Sequence, residues 1–472
     1  MILNLPYIFT TDNGIYFFDN STSIILPINE KEKEFLEGLE LNTSIDDYLI
    51  TEEVKGIYEN IKSLGLFSKR SELLSTNITA EYVEKQIKEQ GISHLCLIVT
   101  DDCNFRCKYC IYSDHYFYSK SFSNRCMTLD VARKAVDYYF KNNIEALKFN
   151  PQLISSIGFY GGEPLINWKL IKEIVKYSKK YDENCYFSIT TNGYLLDIEK
   201  IKFMLNNNFS ISVSLDGGKD QHDKNRIDRC GNGTFDRVFK NILMLQDMID
   251  KSPDSEIKNR MFYILITKDN LSDLDSINNF FKKYPNIRQH VFSVANVNAM
   301  NTDYYKNQNS EEVLKKRNKQ ILKLLDDYKR NENKNDSFLK AFFSDTTTAV
   351  DQLSNYQENL LLGACIPGAH KLTVGTDGRF HACEKINQNY SIGSVYEGLK
   401  YTDISKYLNK ILNIRRKYCT DCNLLNLCSL CLAHMESESD LEFNHSHCIS
   451  VKESMKTILG ICYSLKESRQ GR

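Results

Sequence analysis

The sequence predicts an α/β protein whose centre is a partial barrel of six parallel strands. Between residues 91 and 300, six apolar, β-prone runs alternate with amphipathic helical stretches. Such alternation is typical of parallel strands joined by right-handed crossover connections. A β-then-α segment precedes this region and a cysteine-rich segment follows it, so the 472 residues suggest about three domains.

The β runs and the helical stretches of the central region follow one another regularly. The β runs are 94–100, 153–160, 186–191, 210–216, 261–267 and 290–295. The helical stretches lie near 128–143, 167–181, 196–208, 234–250 and 271–284. A complete barrel of this kind has eight β/α units. Six units therefore predict a barrel with an open side.

The segments on either side have a different organisation. Residues 1–90 begin with three short β-rich runs, which are followed by helical spacing over 30–39 and 52–66, with Gly65 near the end of the second helix. Residues 301–350 contain one predicted helix, 311–330, which we interpret as a bridging segment. In residues 351–472, the turn Thr376-Asp377-Gly378 separates two further predicted strands.

Composition excludes several classes of protein. A net charge of −1 gives no basic signature for nucleic acid. The N-terminus lacks the basic and apolar regions of a signal peptide, and no apolar run is long enough to span a bilayer, so we expect a cytoplasmic protein with no membrane partner. Fifteen cysteines in such a chain favour metal or cluster ligands over disulfides.

Three cysteines follow the first β run with the spacing Cys103-x3-Cys107-x2-Cys110. At the C-terminal end of a barrel strand they occupy the place where catalytic residues are usually found. An iron–sulfur cluster is normally held by four thiolates, so three would leave one iron open. Zinc would require a fourth ligand, and only His115 is close in sequence. Cys96, Cys126, Cys185 and Cys230 are predicted to be structural.

Three further motifs end the second, third and fourth β runs. They are Gly161-Gly162-Glu163-Pro164, Thr190-Thr191-Asn192-Gly193, and Ser214-Leu215-Asp216-Gly217 with His222 and Arg226 downstream. The glycines would let backbone approach a ligand closely. A carboxylate accepts hydrogen bonds from an ammonium, and a guanidinium suits a carboxylate.

With these motifs the sequence resembles the radical SAM enzymes. The resemblance implies a [4Fe-4S] cluster on Cys103, Cys107 and Cys110, whose open iron chelates S-adenosylmethionine and cleaves it to a 5′-deoxyadenosyl radical. It also implies a role in S-adenosylmethionine binding for the other motif residues. These are Tyr109 beside the cluster, Gly161, Gly162, Glu163 and Pro164 at the amino group, Thr190, Asn192 and Ser214 around the ribose, Arg226 at the carboxylate, and Asp216 in the same motif as Ser214.

The C-terminal cysteines resemble those of a SPASM domain, which holds two auxiliary [4Fe-4S] clusters. The resemblance assigns Cys419, Cys422, Cys428 and Cys448 to one cluster, the four-cysteine site. It assigns Cys365, Cys383 and Cys431 to the other, the three-cysteine site. The last close pair has x2 where the family usually has x3, which weakens the assignment of Cys431. A zinc site at 419–431 is the alternative chemistry.

Residues 1–90 resemble the winged-helix-like RiPP recognition element, which binds the leader of a precursor peptide. A generic α+β cap domain is the alternative. A DNA-binding winged helix is disfavoured because Asp46, Asp47, Glu52 and Glu53 would oppose phosphate. The domains expected are therefore 1–90 for leader binding, 91–300 for the partial barrel, 301–350 for the bridge and 351–472 for the SPASM domain.

Together these resemblances imply a peptide-modifying radical SAM/SPASM enzyme of the sactipeptide or ranthipeptide type, which joins a cysteine sulfur to a carbon of another residue. Its partners would be a precursor peptide and an electron donor such as flavodoxin or ferredoxin. The alternatives are oxidation of a Cys or Ser side chain as in anaerobic sulfatase maturases, a carbon–carbon crosslink, and a zinc-ribbon protein. Glu384 follows Cys383 as the catalytic carboxylic acid does in the maturases.

The three-cysteine site lacks a fourth cysteine. His370 and His381 are the nearby alternative ligands, and thiolate is preferred by such clusters. We therefore predict an open iron there, which would bind the sulfur of the substrate cysteine. Three cubane clusters predict about twelve irons per chain.

Overall fold

The structure is a computed structural model. It describes residues 6–41, 55–56, 59–60, 63–66, 77–116, 120–254, 262–267, 273–295, 302–304, 311–330, 336–343, 365–386, 390–420, 422–428, 431–435 and 440–470. Seven of the fifteen residues of the predicted helix 52–66 lie outside these ranges, as do Phe117 and Tyr118, which follow the cysteine motif.

The N-terminal segment forms an antiparallel sheet of β1 (Tyr7–Thr10), β2 (Ile15–Asp19) and β3 (Ile24–Ile28), followed by α1 (Glu30–Leu41). The sheet packs against the last helix of the chain, His445–Gln470. Phe9 and Phe18 share an apolar cluster with Leu459 of that helix and with Leu424. A single carboxylate, Glu467, accepts hydrogen bonds from Thr11 and Tyr16. This module is therefore fixed to the C-terminal part of the chain.

The barrel strands lie close to their predicted positions. They are β4 (His94–Thr100), β5 (Ser156–Gly161), β6 (Tyr186–Thr191), β7 (Phe209–Ser214), β8 (Tyr263–Thr267) and β9 (Val291–Ala295). The helices are α2 (Ala80–Gln90), α3 (Leu129–Ala146), α4 (Trp168–Ser178), α5 (Ile198–Leu205), α6 (Lys219–Asp223), α7 (Phe235–Asp250), α8 (Leu274–Lys283), α9 (Pro285–Arg288) and α10 (Glu311–Arg330). All six strands are parallel and are hydrogen-bonded in chain order.

Side chains alternate between the two faces of this sheet. In β7, for example, Phe209, Ile211 and Val213 are buried in the main core, whereas the serines between them are half-buried. Local signals place the covering helices: Thr128 caps α3 and Asp197 caps α5, each accepting from a backbone amide of the first turn. The apolar face therefore lies under the helices, and the other face is the concave interior of the barrel.

The C-terminal segment adds strands to the same sheet. They are β10 (Lys371–Val374), β11 (Arg379–His381), β12 (Ser391–Ser394) and β13 (Gly398–Leu399), and α11 (Tyr401–Tyr418) and α12 (His445–Gln470) complete the chain. β10 pairs in parallel with β4, so that a single ten-stranded sheet runs from β13 to β9. The sequence predicted β10, the turn and β11, with Gly378 at a φ of 82°, but not their continuity with the barrel.

Helix α2 packs with the barrel, although the sequence assigned its residues to the N-terminal domain. Val83 and Ile87 of α2 are buried in the main core, and this helix packs against α3 and α11. Residues 77–90 therefore pack with the barrel rather than with the N-terminal sheet. Among the described residues, no helix combines the length and the apolar character that crossing a membrane requires.

Candidate active site

The cysteine motif forms a tight loop directly after β4. Backbone amides of Phe105 and Tyr112 donate to the sulfurs of Cys103 and Cys110, at 3.4 and 3.5 Å. The amide of Cys110 donates to the carbonyl of Cys107 at 3.1 Å. The guanidinium of Arg106 donates to the carbonyl of Cys103 in the same loop, at 2.7 Å. The backbone therefore orients the thiols of Cys103 and Cys110.

The three thiols are close enough to influence one another. Burial raises the pKa of Cys103, and nearby Glu163 and Cys107 raise it further. Burial also raises the pKa of Cys107 to about 12, although Arg226 opposes this shift, and it raises the pKa of Cys110. Without metal the thiols are thus held protonated. An iron–sulfur cluster binds thiolates, so loading the site would release their protons.

The two glycines of the second motif have a role that the sequence did not indicate. A Cβ atom on Gly161 would overlap the carbonyl oxygen of Thr100, and one on Gly162 would overlap that of Asp102. Gly161 also has a φ of 142°. Both glycines are therefore required because the end of β5 packs against the backbone that leads into the cysteine loop. Their predicted role at the amino group of S-adenosylmethionine stays a prediction.

Glu163 is buried beneath this loop and holds the end of β6. Its Oε1 accepts from the Thr191 hydroxyl at 2.7 Å, and its Oε2 accepts from the Asn192 amide at 2.8 Å. Burial raises the pKa of Glu163 to about 7 against the opposing effect of these hydrogen bonds. Pro164 begins a short 3-10 helix, Pro164–Asn167, and is buried with it.

Asn192 and Asn104 meet beside the cysteine loop. The Nδ2 of Asn192 donates to the Oδ1 of Asn104 at 2.9 Å and lies 3.9 Å from the sulfur of Cys103. The Nδ2 of Asn104 is buried and has no hydrogen-bond partner among the described residues. A buried donor of this kind requires an acceptor, and a bound ligand would supply one. Sequence reasoning did not single out Asn104.

A second buried network surrounds Asp216. Its carboxylate accepts from Tyr109 at 2.7 Å, from Arg226 at 2.9 Å and from the backbone amide of Thr267 at 2.9 Å. Burial alone would raise the pKa of Asp216, but the Arg226 guanidinium holds it below its usual value. Tyr109 was predicted in the cysteine motif and Asp216 and Arg226 in the motif after β7, and the structure brings the two motifs together. His222 adjoins this network, because its Nδ1 accepts from the Asp216 backbone amide at 3.5 Å and its Nε2 lies 3.1 Å from the Thr234 hydroxyl.

The concave face has one open side, which we call the open wall. It consists of the half-buried side chains Ser188, Thr190, Ser210, Ser212, Ser214, Tyr263 and Leu265 on β6, β7 and β8. Their partial exposure, between strands whose other faces are fully buried, shows that the barrel has space at this side. Only Thr190 and Ser214 were predicted as site residues. The period-two recurrence of small hydroxyl residues in β6 and β7 could have indicated the others.

The opposite side, which we call the closed wall, is filled with polar groups. It consists of Cys96, Lys120, Thr373, His381 and Glu384, and each is at most 9% exposed. Cys96 and His381 flank Thr373 across β4, β10 and β11. Glu384 is paired with Lys371 at 2.6 Å, and Lys120 donates to the Glu384 backbone carbonyl at 2.6 Å. Burial would raise the pKa of Glu384, but Lys371 lowers it.

The C-terminal cysteines lie in two places. The four cysteines of the four-cysteine site line one cavity of about 310 Å³, together with the buried Arg415. At the three-cysteine site, burial raises the pKa of Cys365, and nearby Cys431 raises it further. The sulfur of Cys383 lies 3.4 Å from a Glu384 carboxylate oxygen, so this site adjoins the closed wall. His381 is the last residue of β11, two residues before Cys383, and His370 has a φ of 46° in the turn before β10.

These residues fit the groups that the sequence implied. The cysteine loop presents mutually interacting thiols beside an unpartnered buried amide, and the four-cysteine site encloses a cavity. In the part of the chain that the structure describes, no three His, Cys, Asp or Glu side chains are arranged around a single metal-ion position. The fifteen cysteines include no disulfide pair.

Comparison with known proteins supports the same interpretation. Residues 97–281 match the family model described as the Radical SAM superfamily. The cysteine-type anaerobic sulfatase-maturating enzyme of Clostridium novyi is 30% identical over 201 residues, which is 41% of this chain and 49% of that enzyme. The chain therefore aligns with about half the length of this relative.

Two further comparisons cover more of the chain. The radical SAM cyclopropyl synthase TigE of Paramaledivibacter caminithermalis is 23% identical over 438 residues, covering 90% of this chain and 85% of the relative. A solved structure described as native anSMEcpe with bound AdoMet superposes with a TM-score of 0.57 at 18% identity, covering 79% of this chain and 99% of that one. This likeness shows that the fold is shared.

Proposed function

Because the chain contains a radical SAM domain, we propose that it modifies a ribosomally made precursor peptide by radical chemistry. The observation that carries the proposal is the open wall: the cysteine loop stands at the C-terminal end of strands whose concave face is open and lined by hydroxyl groups. Such a face can accept an extended peptide beside the loop. S-adenosylmethionine bound to the cluster would supply a 5′-deoxyadenosyl radical that abstracts hydrogen from the substrate.

The chain's own residues would hold and orient these groups. Cys103, Cys107 and Cys110 are the cluster ligands in this proposal. Oε2 of Glu163, which accepts one hydrogen bond, retains capacity for the amino group of S-adenosylmethionine. Arg226 uses its Nε and one terminal nitrogen for Asp216 and Thr267, and its other donors suit a carboxylate.

The product that we propose is a thioether between a substrate cysteine and a carbon of another residue. Forming this bond removes one hydrogen atom from carbon, which the 5′-deoxyadenosyl radical would take up, a proton from the thiol, and one electron, which the cluster proposed at the three-cysteine site would accept. The three-cysteine site supports this choice, because it offers one thiolate fewer than a fully ligated cubane requires. The substrate sulfur would complete it, while Glu384, paired with Lys371, would stay ionised beside it.

The N-terminal sheet is proposed to bind the leader of the peptide. β3 is an edge strand with Ile24 44% exposed, and an edge strand can pair with an extended peptide. Removing residues 1–76 should weaken precursor binding and leave cleavage of S-adenosylmethionine measurable. The truncation must end before Asn77, because α2 packs in the main core. Unchanged peptide affinity would refute this part of the proposal.

Two other reactions are supported by particular observations. TigE, a cyclopropyl synthase, aligns with 90% of the chain, which favours a carbon–carbon bond as the second candidate. The relative from Clostridium novyi and the position of Glu384 beside Cys383 favour oxidation of a cysteine side chain as the third. All three would begin with the same hydrogen abstraction.

One experiment distinguishes them. The chain is reconstituted with iron and sulfide without oxygen and incubated with S-adenosylmethionine, dithionite and a cysteine-containing peptide encoded beside its gene. A thioether predicts a product that is two hydrogens lighter and whose cysteine resists iodoacetamide. A product that is also two hydrogens lighter than the substrate but whose thiol still reacts with iodoacetamide would indicate a carbon–carbon bond. A product that has lost its sulfur would indicate oxidation of the cysteine to an aldehyde. Absence of any peptide product would contradict the proposed function.

A further inference from the structure

Lys120 is a buried lysine that connects the barrel with the three-cysteine site. It is 6% exposed, and its Nζ lies 5.5 Å from the ring centre of Tyr112, two residues after Cys110. The same Nζ donates to the Glu384 carbonyl at 2.6 Å, next to Cys383. A lysine is rarely buried unless its charge has a partner. The partner of Lys120 therefore requires an explanation.

The two carboxylates near Lys120 are each paired with another cation. Glu384 is 2.6 Å from Lys371, and Asp101 is 3.1 Å from Arg125. Within the described ranges, the only hydrogen bond from Lys120 goes to a neutral carbonyl. Its other electrostatic neighbours are Cys96 and Cys383. Among the described residues, the Lys120 ammonium therefore has no ion pair of its own.

Loading the three-cysteine site would change this balance. Cluster ligation converts Cys383 to a thiolate, and one-electron reduction adds a further negative charge to the cluster without taking up a proton. A cation in a region of low dielectric interacts strongly with such a charge. Lys371 contributes less, because Glu384 already neutralises it. Burial lowers the pKa of Lys120, and the nearby carboxylates and thiols oppose this shift.

We propose that Lys120 is a positioning residue that stabilises the reduced form of the iron–sulfur cluster at the three-cysteine site, and so raises its reduction potential. The inference rests on the proposed function, which places a cluster on Cys365, Cys383 and Cys431. Net charge and hydrogen bonding are among the properties that set such potentials. Lys120 supplies the charge from the barrel side, and its hydrogen bond to the Glu384 carbonyl holds that charge next to Cys383.

The test is a reductive titration with dithionite, followed by electron paramagnetic resonance, on the full-length chain carrying Cys103→Ala, Cys107→Ala and Cys110→Ala. In this background only the C-terminal clusters contribute to the signal. We compare it with the same chain carrying Lys120→Gln, which retains a hydrogen-bond donor but removes the charge, and Lys120→Arg, which retains both. Lys385→Met is the matched control, because it removes an exposed positive charge two residues from Cys383.

With Lys120→Gln, the ratio of reduced to oxidised cluster at a fixed potential should fall at least tenfold for one C-terminal cluster, a shift of about 59 mV for one electron. Lys120→Arg should restore the potential, and Lys385→Met should change it by much less because water screens an exposed charge. An unchanged potential in Lys120→Gln, or an equal shift in Lys385→Met, would overturn the inference. If iron is lost with Lys120→Gln, Lys120→Met repeats the comparison, and loss of the cluster from both while Lys120→Arg retains it would show a structural role instead.

Failure of the inference can be separated from failure of the proposed function. The parent chain without the barrel cysteines should hold about eight irons, four for each C-terminal site. About four irons would mean that the three-cysteine site binds no cluster, which contradicts the proposed function itself. About eight irons with no dependence on residue 120 contradicts only the role of Lys120.

Discussion

The two walls of the barrel interior differ in how far their polar side chains are exposed. On the open wall, small hydroxyl side chains of β6 and β7 are half-buried and remain accessible to a ligand. On the closed wall, a cysteine, a lysine, a threonine, a histidine and a glutamate are packed almost without exposure. Space for a substrate is therefore on one side, and fixed charge is on the other. The cysteine loop follows β4 on the closed side and reaches Asn192 at the end of β6 on the open side.

The largest effect is expected where the two walls meet. Replacing Cys103, Cys107 and Cys110 together by Ala should abolish the formation of 5′-deoxyadenosine, measured by chromatography after reduction. Iron content should fall by about four per chain while the C-terminal clusters remain. The single replacement of the exposed Cys230 by Ala is the control, and it should leave cleavage unchanged. Normal cleavage in the triple variant would refute the site.

The buried ion pair between Arg226 and Asp216, at the end of the open wall, should contribute strongly to the stability of the fold. Arg226→Ala leaves Asp216 buried and unpaired, which should lower the free energy of unfolding by about 3–5 kcal/mol. Arg229→Ala removes an ion pair to Asp102 in which Arg229 is 47% exposed, and it should cost less than about 1 kcal/mol. Urea denaturation of the metal-free chains measures both. Equal losses would mean that Arg226 does not compensate Asp216.

Low pH should reduce the stability of the fold through His222, which lies next to Asp216. Burial and the nearby Arg226 lower the pKa of His222 to about 4 from its usual 6.5. The stability that this histidine contributes is present above pH 6.5 and is lost as the pH falls toward 4, because the unfolded chain takes up the proton first. The loss is of order 3 kcal/mol.

Replacing His222 by Gln should make the stability of the metal-free chain less dependent on pH in this window. Denaturation midpoints at pH 8, where the histidine is neutral in both states, give the packing cost of the substitution separately. The comparison between pH 6.5 and pH 4.5 then gives the contribution of the proton. Parallel curves for the two proteins would contradict the assignment.

The smallest effects test the comparison between the walls most directly. Thr373→Leu adds volume to the closed wall, where Thr373 is fully buried, and should lower the free energy of unfolding by about 1–3 kcal/mol. Ser212→Leu makes a similar change on the open wall, where there is space, and should cost much less stability. It should instead reduce peptide turnover, which is measured by mass spectrometry. If both variants lost the same stability, the open wall would not be open.

The sequence predicts the features of this fold that depend on residues close together in the chain, and it misses those that depend on contacts between distant segments. Strand positions in the barrel follow from local apolar runs, and β4 and β6 begin and end where expected. The pairing of β10 with β4 could not be predicted, because periodicity says nothing about which distant strands become neighbours. Lys120 was missed for a related reason: a lysine between two motifs normally lies in solvent. The network of Tyr109, Asp216 and Arg226 required folding to bring the cysteine loop next to the motif that follows β7.

The continuous sheet also determines how the chain can be assembled. Asp101 and Thr376, which are hydrogen-bonded beside the junction of β4 and β10, are 275 residues apart in sequence. During synthesis the apolar strand β4 therefore emerges long before the strand that covers its edge. Until β10 arrives, β4 has unpaired backbone groups that can pair with another chain. A protein shortened before β10 should aggregate during expression even though it retains all six barrel strands.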